Sequence, residues 1–300
     1  MTRQTKISVV IASGAGGEFL FRCLDGLREQ AEGLNGQVIV VDRVGGETAT
    51  RVSHDNPFVE LIRVNPDHRP SVPELRRIGV QKASGDIVAI IEEHCVPPSG
   101  WLDAIKSNFG PGDVAIGGPI LDDNYRRLRD WVVYFSEYHN YLPPWSEGER
   151  LNLNGANIAY DRDRLIAHDA RLSDGYWEVV LNPILAQEGR FRSVPEMGVR
   201  HTGPFDYLYY IEQRYLLSRV WGGSQRNRVG TAKRLAYLML APLFPILLLG
   251  RIGSRVFASS RLHGRFIACL PLLFPVVFAY VWGEWLGYLI GPGNALERVE

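Results

Sequence analysis

Cysteine is scarce in this chain of 300 residues: Cys23, Cys95 and Cys269 are the whole set. Three scattered thiols make neither a disulfide framework nor the paired spacing of a zinc site, and a reducing compartment fits them. The opening stretch MTRQTKISVV lacks an apolar run long enough for a signal peptide, so the part that follows is expected in the cytoplasm. Internal repeats and low-complexity tracts are missing too. The formal net charge is zero, and no nucleic-acid partner is expected. That zero hides a division. Residues 1–224 carry 24 Lys and Arg against 30 Asp and Glu, whereas residues 225–265 carry eight Lys and Arg and no acid. An acidic head on a basic, apolar tail implies a domain attached to a membrane.

The tail, residues 225–300, holds two apolar segments, 235–250 and 266–291. A span needs about 20 apolar residues. The second segment is long enough, with Glu284 its one ionisable residue. The first is short and carries Pro242 and Pro245. Arg226, Arg228, Lys233 and Arg234 precede the first segment, and Arg251, Arg255, Arg261 and Arg265 separate the two. Positive charge favours the cytoplasmic side at both places. A re-entrant first segment followed by a single span satisfies this; a two-span hairpin places the second cluster outside. Both topologies stay open, as does a buried core helix for either run. The arginines suit anionic lipid head groups.

Strand and helix patterns alternate through the first hundred residues. Ile7–Ala12, Val38–Val41, Phe58–Val64, Ile87–Ile91 and Val114–Ile116 read as strands. Gly17–Gln30, Pro73–Ala83 and Trp101–Phe109 read as helices, the first with Leu20, Cys23, Leu24 and Leu27 at helical spacing. This rhythm predicts an α/β fold, with a mostly parallel sheet flanked by helices. Ligands of such sheets gather at the carboxyl ends of the strands, here just after Ala12, Val41 and Ile91. Residues 120–224 are less regular, with a helix expected over Phe205–Trp221.

Several residues could carry chemistry. Asp42 ends the second strand and can accept hydrogen bonds from a base or ribose, or cap the turn that follows. Glu92, Glu93 and His94 come directly after the most apolar strand, where unpaired burial is costly. Positions 92 and 94 share a side in an extended chain. A carboxylate and an imidazole there can hold a divalent cation and through it a diphosphate, or form a solvated strand end. Glu178 is a candidate general base or an ordinary helix glutamate. His201 is a second candidate metal ligand or a structural histidine. The loop Asn154–Asn157 can present amides to a ligand or turn the chain. Gly14–Gly17 partly fits the dinucleotide glycine pattern, but Phe19 stands where the third glycine belongs.

Taken in order from Lys6 to His201, these segments resemble the family-2 glycosyltransferases, nucleotide-sugar enzymes with the GT-A fold. ISVVIASGAGGEFLFRCLDGLREQ is similar to the family's first strand and helix, and VIVVDRVGGETA to its base-contacting segment. SVPELRRIGVQKASGDIVAIIEEHCVPPSGWLDAI resembles the Arg-x-x-Gly helix, here Arg76 and Gly79, leading to the acidic metal motif. NGANIAYDRDRL resembles the acceptor-side loop, and WEVVLNPILAQEGRFRSVPEMGVRH the segment of the catalytic acid and a closing histidine. The resemblance implies a nucleotide-sugar donor near Ala12, Asp42, Arg76, Glu92 and Glu93. It implies a divalent metal, Mn2+ or Mg2+, at His94 and His201, and Glu178 as base. Asn154, Asn157 and Trp177 would face the acceptor. The apolar tail resembles that of bacterial membrane-bound members, which implies a lipid-linked or cell-envelope glycan acceptor and a cytoplasmic-membrane location with the head in the cytoplasm. The chain departs from the pattern in four ways. Glu92-Glu93-His94 replaces Asp-x-Asp, which either shifts preference toward Mn2+-like ions or loosens metal dependence. Trp177-Glu178 keeps one acid of a usual pair, and Pro183 interrupts the helix expected there. No Gln-x-x-Arg-Trp pattern surrounds Arg214 and Trp221, which argues against a processive synthase. The altered motifs leave a non-catalytic tethered sugar-nucleotide binder as one alternative. The glycine turn leaves an NAD-dependent oxidoreductase as another.

Overall fold

The computed structural model describes residues 5–33, 35–65, 69–172, 175–226, 228–295 and 298. The chain forms two compact units: residues 1–123 with 145–202, and residues 124–144 with 203–300. In chain order the first unit begins with β1 (Ile7–Ser13), α1 (Gly17–Glu32), β2 (Gly36–Asp42), α2 (Gly46–Asp55), β3 (Val59–Arg63) and α3 (Val72–Lys82). It continues with β4 (Ile87–Ile91), β5 (Cys95–Val96), α4 (Trp101–Asn108), β6 (Asp113–Gly117) and β7 (Ile120–Asp122). α5 (Leu128–Tyr138) belongs to the second unit. The first resumes with β8 (Gly148–Glu149), β9 (Asn157–Asp161), α6 (Arg162–Ala167), α7 (Glu178–Leu185), β10 (Arg190–Ser193) and β11 (Val199–His201). The second unit ends with α8 (Tyr207–Gln225), α9 (Thr231–Leu240), α10 (Phe244–Val256) and α11 (His263–Ile290).

The main sheet has the order β3-β2-β1-β4-β9-β6-β10-β8. β1 pairs in parallel with β2 and β4, and β2 with β3, as the apolar runs predict; β6 pairs in parallel with β10, a strand the sequence reading did not find. Every residue of β1 and of β4 is buried, which requires helices on both faces. β9 is the exception that matters for the site. It lies antiparallel between β4 and β6, with Asn157 opposite Ile91. The loop that enters β9 is thereby delivered to the carboxyl end of β4. A smaller sheet, β5-β11-β7, stands apart from the main one.

Two local outcomes differ from the sequence reading. Gly46–Asp55 is helical although it is polar and buries only Ala49 and Val52; its apolar stripe is too thin for periodicity to find. Pro183 does not stop α7, which runs through to Leu185. The proline costs one hydrogen bond near the end of a short helix and leaves its first turn intact.

α3 is set by a capping box. Ser71 Oγ accepts from Glu74 N (3.4 Å), and Ser71 N donates to Glu74 Oε2 (2.6 Å). The helix then lies tight on β1 and β2 because position 79 is glycine. A Cβ at Gly79 would overlap Val10 Cγ1 and come within 3.2 Å of Val41 Cγ2. Gly79→Ala should therefore destabilise the fold by about 1–3 kcal/mol through overpacking, read as a lower urea midpoint. An unchanged midpoint would show that α3 does not sit this close.

In the second unit α9 and α10 are joined by a 3-10 turn at Ala241–Leu243. The helical stretches Thr231–Val256 and Ser260–Ile290 are each long and apolar enough to cross a membrane.

Candidate active site

The carboxyl ends of β1, β2 and β4 converge, as the parallel order requires. After β1 the chain turns through Gly14–Gly17, with Gly16 and Gly17 at φ of 64° and 60°, a region glycine enters without penalty. Glu93 fixes this turn. Its Oε1 accepts from Gly14 N (3.0 Å) and Ala15 N (2.7 Å), and its Oε2 from Gly16 N (2.8 Å). A buried carboxylate on three amides is a strong, charge-assisted arrangement. It also takes the amides that a dinucleotide pyrophosphate needs at such a turn, which counts against the oxidoreductase alternative. Asp42, almost fully buried, closes the neighbouring turn. It accepts from Ser13 Oγ (3.1 Å), Val44 N (3.0 Å) and Gly45 N (2.9 Å). This is the turn-capping geometry of the two that its position allowed. Arg43 ties the two turns together, donating to Gly14 O (3.2 Å) and Pro70 O (2.9 Å).

The centre of the site is Arg76. Its side chain is only 7% exposed and bridges two carboxylates, Glu92 Oε1 at 3.0 Å and Glu178 Oε2 at 3.1 Å. Three separate elements meet there. Glu92 leaves β4, and Glu178 begins α7. The loop before β9 closes over Glu178 and Arg76, since a Cβ on Gly155 would lie 2.8 Å from Glu178 Cδ and 3.1 Å from Arg76 Nη1. Glu178 reaches Arg76 because its leading segment is clamped to α3. Tyr176 N donates to Pro73 O (2.9 Å). Tyr176 Oη donates to Asp169 (3.0 Å), which is itself held by both arms of Arg77 at 2.8 Å. At Gly175, where φ is 107°, the backbone passes so near Pro73 that a Cβ would come within 2.5 Å of its carbonyl carbon.

The remaining candidates divide. Glu92 and His94 do not share a side, because residues 92–95 form a hydrogen-bonded turn (Cys95 N to Glu92 O, 2.9 Å) and not an extended strand. His94 lies against Phe19, ring centroids 4.3 Å apart, and beside His201 at 6.1 Å. Thr202 N donates to His94 O (2.7 Å), so the residue that follows β11 holds this turn. Burial pushes the His94 imidazole below its ordinary pKa against the pull of Glu93, and pushes His201 well below, helped by His94. Asn157 is fully buried and structural: Trp101 Nε1 donates to it (3.0 Å) and it donates to Met197 O (2.6 Å). Asn154 Oδ1 accepts from Ala156 N (2.7 Å) and shapes the loop. Trp177 is half-buried immediately before Glu178, and Ala12 is buried within β1. The sequence reading missed Arg43, Tyr176 and the Arg77–Asp169 pair. None of these left a local signal; the Ser-x-x-Glu box ahead of α3 marks only the start of the helix that carries Arg76 and Arg77.

Among the described residues no three His, Cys, Asp or Glu side chains converge as a ready-made cation cage. Mg2+ or Mn2+ at a phosphate needs only one or two protein carboxylates, the phosphates and water supplying the rest. Glu92, 31% exposed with one oxygen on Arg76, fits that demand.

No family model matches the sequence. The glucosyl-dolichyl phosphate glucuronosyltransferase of Haloferax volcanii is 28% identical over 137 residues, which is 42% of this chain and 42% of that protein. The match thus spans less than half the length of the curated relative. Among solved structures, the mannosyltransferase PcManGT of Pyrobaculum calidifontis, in complex with GDP-Man and Mn2+, superposes with a TM-score of 0.56 at 17% identity. It covers 96% of this chain and 88% of that one. TarS 1–349 of S. aureus superposes with a TM-score of 0.52 at 13% identity, covering 98% and 92%. Its complex with UDP-GlcNAc gives 0.51 at 12% identity, again covering 98% and 92%.

The histidine pair carries a pH signature. An unfolded imidazole protonates near pH 6.5, while His94 and His201 stay neutral in the fold until lower pH. Between those values the unfolded chain binds more protons, so stability falls as pH falls. The urea midpoint should drop from pH 7 to pH 5, each histidine contributing at most about 1.4 kcal/mol per pH unit. His201→Gln should flatten that slope; a variant with the native slope would mean that His201 is not held neutral by the fold.

Proposed function

The fold is that of GT-A glycosyltransferases, and we propose that the chain is an inverting enzyme of that kind, moving a sugar from a nucleotide-diphosphate donor to a membrane-associated acceptor. The supporting observation is the Arg76 bridge between Glu92 and Glu178 at the carboxyl ends of the parallel strands, where α/β sheets bind ligands. In this reading the first compact unit, residues 1–123 with 145–202, is the catalytic head, and the anchor of residues 225–300 lies in the second, together with residues 124–144 and 203–224. The head works on the cytoplasmic face of a bacterial inner membrane. PcManGT and TarS, with their GDP-Man and UDP-GlcNAc complexes, support a nucleotide-sugar donor. The lipid-linked sugar in the name of the Haloferax relative supports a lipid-linked acceptor or a related envelope glycan precursor.

Asp42 would meet the nucleotide, its rigid carboxylate keeping lone pairs beyond the three hydrogen bonds it already accepts. Glu93 would act indirectly, by fixing the Gly14–Gly17 wall of the donor pocket. Arg76 would hold Glu178 in one rotamer and balance charge as the donor's phosphates approach. Glu178 would take the proton from the acceptor hydroxyl as it attacks the anomeric carbon on the face opposite the leaving diphosphate. Trp177 and the loop of residues 154–156 would border the acceptor. A divalent ion, held by Glu92 with the His94–His201 pair behind it, would offset charge on the leaving diphosphate.

Glu178→Gln tests the assignment. It keeps the side chain's shape and one bond to Arg76 but removes the base. Turnover should fall by about 10²–10⁴-fold with donor affinity unchanged. The donor for that assay comes from thermal shifts of detergent-solubilised protein with UDP, GDP, dTDP, CMP and NAD, with and without Mn2+. A shift with NAD alone would overturn the transferase reading. A native chain that binds a nucleoside diphosphate yet never turns over would make it a tethered binder, the reading that His94 in the metal motif favours.

A further inference from the structure

The geometry points to a one-leaflet anchor: α9, α10 and α11 lie in the interface of the bilayer, and neither apolar segment crosses it. This rests on the membrane attachment proposed above and specifies its topology. The first observation is what α11 packs against. α8 runs alongside it in the same direction. Tyr207 Oη donates to Leu272 O. Farther on, Gly283 meets the Tyr215 carbonyl and Gly287 the Arg219 carbonyl, each leaving no room for a Cβ. Gly223 is packed on Pro292 in the same way. Glycines let the two backbones touch, so α8 and α11 form one rigid pair.

α8 is not a membrane helix. It carries Glu212, Arg214 and Arg219. Arg214 is paired with Glu137 of α5 at 2.6 Å, Arg219 Nε reaches Gly291 O at 3.4 Å, and Arg298 pairs with Glu212. The other half of α11 is covered by α5, with Phe266 edge-on to Phe135 at 5.6 Å and Cys269 Sγ on Leu128 O at 3.5 Å. Turning α11 across the bilayer would carry these ionised groups to membrane depth, where such groups are rare and costly. The side of α11 that no other helix covers bears Ile267, Leu270, Phe274, Phe278 and Trp282, recurring every three or four residues as one apolar stripe.

The second observation is the hairpin. α9 and α10 run back along α11. Tyr237 stacks on Tyr288 at 5.3 Å, Trp285 Nε1 donates to Leu238 O (3.1 Å), and Phe257 meets Phe266 at 5.8 Å. No residue of α9 is buried, and Met239, Ile246 and Leu247 are each more than 60% exposed. The basic clusters lie at the two ends of this hairpin strand, Arg226–Arg234 at one and Arg251–Arg265 at the other, with no acid among them. A transmembrane hairpin would put them on opposite faces; a flat one puts both at the same anionic head groups, its apolar stripes facing the acyl chains. The occupant of this surface is therefore a single leaflet rich in anionic lipid.

Single-cysteine labelling of the full chain tests this. The native Cys23, Cys95 and Cys269 are buried, so the native chain is the unlabelled control. Lys106→Cys in the head, Ser260→Cys between α10 and α11, and Asn294→Cys after α11 are exposed sites. Each variant is treated with a membrane-impermeant maleimide in sealed vesicles of both orientations. All three should label from the same face. Ser260→Cys labelling from the face opposite Lys106→Cys would establish a two-span hairpin and overturn the inference. Asn294→Cys alone labelling from that opposite face would establish α11 as a span and overturn it equally. Recovery of all variants in the soluble fraction would instead remove the membrane attachment on which the inference rests.

Discussion

The candidate site depends on one buried cation. Arg76 loses most of its water in the fold, and only well-placed carboxylates make that tolerable. Glu92 and Glu178 supply them from opposite directions, so α3, the end of β4 and the start of α7 must all be held within hydrogen-bond reach. The glycines follow from the same demand. Gly79 lets α3 settle on β1 and β2; Gly155 and Gly175 let two loops approach backbone and side chain where a methyl group would collide. Removing any of these close approaches would separate the carboxylates from the guanidinium before it touched the chemistry. The triad as a whole carries one net negative charge, a surface suited to a cation or a polarised hydroxyl and made compatible with phosphates only by Arg76 itself.

Three neighbouring residues, Glu92, Glu93 and His94, have three separate tasks because the chain turns immediately after β4. Glu92 faces the arginine, Glu93 folds back to hold the glycine loop, and His94 enters an aromatic and imidazole cluster with Phe19 and His201. A metal motif read as a linear string assumes that its side chains converge. Here the carboxylate of Glu93 is occupied in building the pocket wall, and this alone separates it from Glu92 in function. The replacement of a usual aspartate by His94 is consistent with that division, since a neutral imidazole tolerates the buried position that it occupies far better than a second charge would.

The parallel core was legible because β1 and β4 are buried on both faces and so are apolar at nearly every position, with α1 and α3 of clear 3.6-residue period between them. The insertion of β9 in reverse was not legible, because its direction is fixed by pairing with β4 and β6 and leaves no local mark. Among site residues, Arg76, Glu92 and Glu178 were found through their resemblance to a known pattern, and the fold brings them together. Asn157 looked equally suitable in the sequence, yet its amide is fully engaged by Trp101 and Met197 in the interior. Nothing local distinguishes an asparagine that faces a ligand from one that staples two segments. The clamp from Arg77 through Asp169 and Tyr176 was invisible for the same reason, its members lying far apart in the chain.

Hydropathy read the second apolar segment of the tail as long enough to cross a membrane and the first as short, whereas the helical stretches that contain them are both long and apolar enough. Composition, however, counts residues and not faces. α11 is apolar throughout, so its period carries no information about which side meets protein. That information resides in α8, a helix too polar to register in any hydropathy window, and in Gly223, Gly283 and Gly287, which press the two together. Once Glu212, Arg214 and Arg219 are fixed to the flank of an apolar helix, the pair behaves as a single amphipathic body. Its preferred depth is set by its most polar face. A positive charge at both ends of the returning strand then ceases to be a contradiction and becomes the condition for lying flat.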